Sequence, residues 1–181
     1  MKRPVLLAIG LLIIVLVGYL AYAMLTTKSH SPFAEAKANF KGTEIDVAYC
    51  QPYKKGRVIF GEESDGALQP YGKYWRLGAN EATQITFSSD VVFAGDQVKE
   101  GTYRMYAVPG KDQWEVSLNS ELGKWGAFEP NYSLDVVKVK VPAQKTEDTA
   151  EQFVITFDTD SIGTLMNFVW DRTKVSVPIT K

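Results

Sequence analysis

Ala34-Glu35-Ala36-Lys37-Ala38-Asn39-Phe40-Lys41-Gly42-Thr43-Glu44-Ile45-Asp46-Val47-Ala48-Tyr49 alternates in character on both sides of a single glycine. Ala34, Ala36, Ala38 and Phe40 share one side, and Glu35, Lys37 and Asn39 the other. After Lys41-Gly42, the residues Ile45, Val47 and Tyr49 alternate with Glu44, Asp46 and Ala48. A period of two puts successive side chains on opposite faces of a strand, although the alanines alone would tolerate a helix. Lys41-Gly42 reads as a hairpin turn, so the domain is expected to open with a β-hairpin.

Working outward, further candidate strands fall at residues 57–60, 74–77, 83–88, 91–93, 102–108, 114–118, 136–141, 153–157, 165–170 and 175–179. Most are short, rich in aromatic or β-branched residues, and bounded by Gly, Pro, Asp or Asn. Gly110-Lys111-Asp112 fits a hairpin loop between the strands ending at Val108 and starting near Trp114, and Gly95-Asp96 fits another after Phe93. Many short strands without a convincing amphipathic helix predict an all-β fold: an antiparallel β-sandwich or a partly open barrel. Tyr103, Trp114, Phe153, Phe168 and Trp170 are expected in its core. The longest irregular stretches run from Gly61 to Lys73 and from Ser120 to Ser133, and long loops on a rigid sheet are where sites tend to lie.

Ahead of this domain, Met1-Lys2-Arg3 is followed by an uncharged apolar run from Pro4 to Leu25. As a helix, those roughly 22 residues reach about 33 Å, enough to cross a bilayer's hydrocarbon core. The sequence therefore predicts one N-terminal transmembrane helix and makes a membrane the first partner. With Lys2 and Arg3 as the only preceding charges, the positive-inside bias keeps residues 1–3 cytoplasmic and exports the chain beyond Leu25. The expected division is 4–25 for the anchor, 26–30 for a polar linker and 31–181 for an extracytoplasmic β domain on a single-pass protein of the cell membrane. Ala21-Tyr22-Ala23 also has the small-x-small form of a signal-peptidase site, so a cleaved signal peptide is the alternative. No cysteine comes directly after the apolar core, which disfavours a lipid anchor there.

Lys and Arg number 20 against 21 Asp and Glu, a net charge of -1 spread along the chain. Nothing resembles the basic stripe that nucleic acid needs, so no nucleic-acid partner is expected. The single cysteine, Cys50, cannot form an internal disulfide and is expected to be buried. His30 is the only histidine and lies in the linker, which leaves no zinc set and no histidine base inside the domain. Asp158, Asp160 and Gly163, or Glu62, Glu63 and Asp65, could suggest a calcium loop, but neither spacing is that of an EF-hand, and solvated acidic turns explain both. No metal or cofactor is expected.

The densest functional cluster is Tyr71-Gly72-Lys73-Tyr74-Trp75-Arg76-Leu77-Gly78-Ala79-Asn80-Glu81-Ala82-Thr83, preceded by Gly56-Arg57. Two arginines, an amide, a carboxylate and several rings could grip a sugar or an anion, with rings stacking and a guanidinium making paired hydrogen bonds. The candidate ligand-binding residues are therefore Arg57, Tyr71, Arg76, Asn80 and Glu81. The alternative is structural, with Glu81 pairing Arg57 or Arg76, Asn80 shaping a turn and the rings joining the core. Strand alternation sends Trp75 and Arg76 to opposite faces, so a core Trp75 turns Arg76 toward the loops. A carboxylate pair for hydrolysis, Glu81 with Asp171 or Glu62, is a further option without a spacing rule behind it.

These residues resemble a bacterial envelope family known only as domain of unknown function 2911. The resemblance runs from about Ser31 to Ile179. It rests on Tyr49-Cys50-Gln51-Pro52, Gly56-Arg57 with Ile59-Phe60-Gly61, Tyr71-Gly72 with Trp75-Arg76, Gly78-Ala79-Asn80-Glu81-Ala82-Thr83, Gly101-Thr102-Tyr103, Val108-Pro109-Gly110, Trp125-Gly126, and Trp170-Asp171 before Val175-Ser176-Val177-Pro178-Ile179. It implies a secreted or membrane-tethered, mostly β single domain without an assigned activity. This chain departs from the family pattern in carrying Cys50 and Tyr53 where serines are usual, which puts a serine nucleophile at the first position in doubt. Together the readings give a membrane-tethered extracytoplasmic module that binds a small polar ligand or an envelope partner, with a carboxylate hydrolase and a purely structural envelope protein as alternatives.

Overall fold

Lys41 and Gly42 both adopt positive φ, 49° and 81°, the backbone a two-residue hairpin needs. The side chain of Asn39 accepts from the Gly42 amide at 3.2 Å. The strands on either side, β1 (Phe33–Phe40) and β2 (Thr43–Cys50), pair antiparallel from Phe40 opposite Thr43 to Phe33 opposite Cys50. Ile45, Val47 and Tyr49 are buried while Glu35, Lys37 and Glu44 face solvent, as the alternation requires.

The computed structural model describes residues 2–181, with side chains of the N-terminal helix described without interruption from Leu7 to Tyr22; Met1, in the expected cytoplasmic end, lies outside the described residues. After the hairpin come β3 (Phe60–Gly61), β4 (Gln69–Pro70), β5 (Gln84–Phe87), β6 (Val91–Phe93), β7 (Asp96–Val98), β8 (Gly101–Val108), β9 (Gln113–Asn119), β10 (Asp135–Thr159) and β11 (Thr164–Thr180). Nine strands form one sheet in the order β1-β2-β5-β8-β9-β10-β11-β6-β7, and β3 pairs with β4 separately and in parallel.

One long strand makes this sheet a sandwich. The first part of β10, Asp135 to Pro142, pairs with β9, and its remainder, from Ala143 to Thr159, pairs with β11. The sheet folds over there, and the ring contacts cross between its halves: Trp114 of β9 stacks on Phe168 of β11, Tyr49 of β2 meets Phe153 of β10 edge-on, and Phe87 of β5 meets Phe93 of β6. The fold is thus mostly antiparallel β and sandwich-like, and Tyr103, Trp114, Phe153, Phe168 and Trp170 all lie in its core.

Several local expectations need correction. The segments 136–141 and 153–157 belong to one strand, and so do 165–170 and 175–179. The intervening polar residues continue the pairing through register shifts at Lys145, Ala150 and Val154, which absorb their irregularity as bulges. Residues 74–77 are not a strand; Trp75 alone bridges to Ala107. The short β7 was not foreseen, because its Asp96-Gln97 start lacks strand formers.

The α-helix, α1 (Lys2–His30), continues through the expected linker 26–30. Thr26 and Ser29 donate back to the carbonyls of Tyr22 and Thr26 at 2.9 and 2.6 Å, so the polar residues extend the helix. Its described side chains from Leu11 to Tyr22 are all exposed. Among the described residues no helix is long and apolar enough to cross a membrane, the uninterrupted described stretch being shorter than the ~20 residues of a span.

Candidate functional site

The segment from Trp75 to Thr83 folds over the end of β2 as a tight turn. Leu77 and Asn80 both take left-handed backbone, φ 51° and 57°. Asparagine tolerates that region and leucine does not, so surrounding contacts must hold the turn. The Thr83 hydroxyl donates to the Leu77 carbonyl at 2.7 Å, and the Trp75 indole donates to the Gly78 carbonyl at 3.1 Å. Gly78, at φ 154°, lies so close to β2 that a Cβ there would stand 2.8 Å from the Cys50 carbonyl oxygen.

Trp75 is buried and Arg76 only half-buried, although no strand alternation acts here. The Arg76 stem crosses Gly126, where an added Cβ would come within 2.5 Å of its Cδ. Its Nε is buried without a hydrogen-bond partner. Burial holds the guanidinium below the usual arginine range, and the groups that push back are the Tyr74 hydroxyl and the Cys50 thiol, neither of them a carboxylate. A half-buried cation without a counter-charge is costly, by several kcal/mol for full burial.

Arg76 opens on a cavity of about 240 Å³ lined also by His30, Ser31, Pro52, Lys55, Arg57, Leu68, Gln69, Gly78, Ala79 and Trp170. Three cations and a histidine thus share one concavity whose described lining carries no carboxylate. The nearby acids are engaged elsewhere: Asp171 pairs with Lys54 at 2.9 Å, and Glu151 accepts from the backbone amide of Lys55 at 2.8 Å. Arg57 is held by its own loop, its Nε donating to the Lys54 carbonyl at 3.0 Å and an amino group to that of Tyr53. Lys55 Nζ meets His30 Nδ1 at 3.3 Å. An ammonium only donates, so Nδ1 accepts and the ring proton sits on Nε2. Trp170, like Arg76, carries a buried ring or side-chain N–H without a partner.

The structure divides the five residues singled out from sequence. Arg57 and Arg76 come together in this cavity. Asn80 is buried beneath it and donates to the Ser31 carbonyl at 3.4 Å, shaping the turn. Glu81 lines a separate cavity of about 330 Å³ with Cys50, Tyr49, Phe33, Ala48, Ala82 and Gln84. Tyr71 lies apart, its amide bonded to Gly61 and its hydroxyl pushed up by burial and by the charges of Glu62 and Asp112. Lys55, His30 and Trp170 were missed by sequence reasoning. A basic residue in the Gln51–Gly56 loop gave no signal, because long-range bonds, Phe153 amide to Pro52 and Lys54 amide to Glu151, fix that loop against β10, where Lys55 meets His30.

Cys50 is buried, as expected, and donates to a Glu81 carboxylate oxygen at 3.5 Å. Burial is the main cause that raises its pKa, the Asn80 side chain opposes this and Glu81 adds to it. Such a thiol is not an activated nucleophile. Glu81 is the one carboxylate in the described lining of its cavity, so neither Asp171 nor Glu62 faces it there. Arg104, 1% exposed, is wholly enclosed; one amino group donates to the Tyr74 hydroxyl and the Phe128 carbonyl and fastens the loop before β10 to the sheet. Its Nε and other amino nitrogen are buried without a partner and away from either of these cavities. Asp160 caps its own turn through the Ile162 and Gly163 amides, at 2.7 and 2.9 Å.

The family model described as "Protein of unknown function (DUF2911)" matches residues 31–179, and the chain belongs to that family. No curated protein and no solved structure matches it.

The raised thiol pKa has a measurable consequence for Cys50. At pH 8 the folded chain holds less thiolate than a free cysteine, so its alkylation by iodoacetamide should be slower and its rate–pH midpoint higher, with the ordinary rate restored in urea. Alkylation of the folded chain at the free-cysteine rate would contradict the buried Cys50–Glu81 arrangement.

Proposed function

We propose that this protein is a membrane-tethered β module that binds a small anionic ligand between Lys55, Arg57 and Arg76. The observation that carries the reading is the buried, unpartnered Nε of Arg76 in a cavity whose described lining has cations and no carboxylate. A phosphate, sulfate or carboxylate supplies the missing counter-charge, and a guanidinium fork binds such groups by paired, charge-assisted hydrogen bonds. A sugar without a charge would leave the Arg76 cation uncompensated, so the anion is the better fit of the two polar ligands.

The tether rests on the sequence from Pro4 to Leu25, which carries no charge, and on the exposed apolar side chains around α1. A helix apolar on all sides has no polar face to give to water. Lys2 and Arg3 then orient the domain away from the cytoplasm.

Melting of the full chain in an uncharged detergent tests the ligand. At constant ionic strength, inorganic phosphate at about 100 times its Kd stabilises by ~2.7 kcal/mol, which raises the midpoint of a domain this size by roughly 5–10 °C. Arg76→Met should abolish that rise while leaving the ligand-free midpoint unchanged or higher, because it removes an uncompensated charge. No rise in the native chain, or an equal rise in the variant, would refute the site. For the tether, the mature N-terminus should be Met1 and a reporter fused after Lys181 active only outside the cytoplasm; an N-terminus at Met24 would replace the anchor by a cleaved signal.

A further inference from the structure

The cavity lies at the foot of α1, since His30, the last residue of the helix, forms part of its wall. From Leu25, where the apolar run ends, to His30 the helix rises about 7–8 Å at ~1.5 Å per residue. The polar layer of a bilayer is about as deep on each side, given ~30 Å of hydrocarbon within ~40–45 Å overall. An anchored α1 therefore holds the cavity at the level of lipid headgroups.

The lining also suits more than a bare ion. Besides the cations the lining includes Pro52, Leu68, Ala79 and Trp170, so it is part basic and part apolar. A volume of about 240 Å³ is well above the ~10–15 Å³ of such space that a single water needs. Arginine and lysine side chains bind the phosphate of a headgroup by charge-assisted hydrogen bonds, as they bind a free phosphate.

We propose that the occupant is the glycerophosphate headgroup of an anionic membrane lipid, with its phosphate between Lys55, Arg57 and Arg76 and its glycerol against Pro52 and Leu68. The proposal rests on the anion reading above and adds the source of the anion. With Nδ1 of His30 facing Lys55, the other ring nitrogen of His30 offers a further donor, and the fixed positive charge belongs to the three cations. The domain is then bound to its bilayer twice, by α1 and by the headgroup, which fixes its orientation over the surface.

Calorimetric titration of the full chain in dodecyl maltoside separates the sources. The probes are inorganic phosphate, dihexanoyl phosphatidylglycerol and its zwitterionic phosphatidylcholine counterpart. The expected order places phosphatidylglycerol at least about tenfold tighter than either of the others, a difference of ~1.4 kcal/mol, with the advantage lost in Arg76→Met and in Lys55→Met. Phosphate binding as tightly as the lipid would overturn the headgroup and leave the anion site standing. Lipid binding untouched by both variants would place the lipid on α1 and overturn the proposal. Absence of heat with every probe would overturn the headgroup and the anion reading together.

Discussion

Trp75 stacks on Trp170 with ring centroids 5.7 Å apart and planes 24° apart, and it meets Trp114 and Phe153 edge-on at 5.6 and 5.0 Å. This cluster joins the two halves of the folded sheet through a residue that belongs to neither, since Trp75 lies on a connecting segment. Each such aromatic pair contributes about 0.5–1.5 kcal/mol beyond the area it buries. With the indole fixed from three sides and its N–H bonded to Gly78, the backbone at Trp75 has one orientation, and Arg76 is driven outward. Trp170 is the other half of the same stack and also a wall of the cavity. The core and the candidate site are thus one construction.

That origin explains why the charge is unbalanced. Arg76 is carried to its place by the packing of its neighbour, and its stem is confined by Gly126 on one side. Lys55 and Arg57 arrive from another direction, on a loop bound to β10 through Pro52 and Lys54, and His30 arrives on α1. Three separate elements deliver basic groups to one concavity while the acids beside them, Asp171 and Glu151, are spent on Lys54 and on backbone. Folding alone gives no reason to assemble like charges, which repel. The proposed anion would offset that cost.

Much of the fold could be read from the chain because alternation is a local property. The hairpin at Lys41-Gly42 and the inward aromatic residues of β9, β10 and β11 declare themselves within a few residues, whereas the turn expected at Gly95-Asp96 lies one residue earlier, at Ala94-Gly95. The continuity of β10 and β11 did not, since Lys145 to Gln152 is polar and stays in strand only because β11 pairs beside it. The site was legible in the same measure. The buried Trp75 and the half-buried Arg76 are told apart in sequence by the alternation of a strand at 74–77 that the structure does not contain. Glu81 is near Arg76 in sequence but turns to other surroundings, because the left-handed residues Leu77 and Asn80 reverse the chain between them, and Tyr71 is held apart by the hydrogen bond from its amide to Gly61. Lys55 and His30 enter through tertiary contacts that no spacing announces.

The central claim is that Arg76 Nε–H awaits an anion, and side-chain nuclear magnetic resonance reads that atom. In the isotope-labelled full chain, the Arg76 Nε–H signal, assigned by its loss in Arg76→Met, should move downfield saturably as phosphate is added, with slower proton exchange. The enclosed Arg104 should stay in place as the internal control. An Arg76 signal that does not move, or one that moves no more than that of Arg104, would contradict the account.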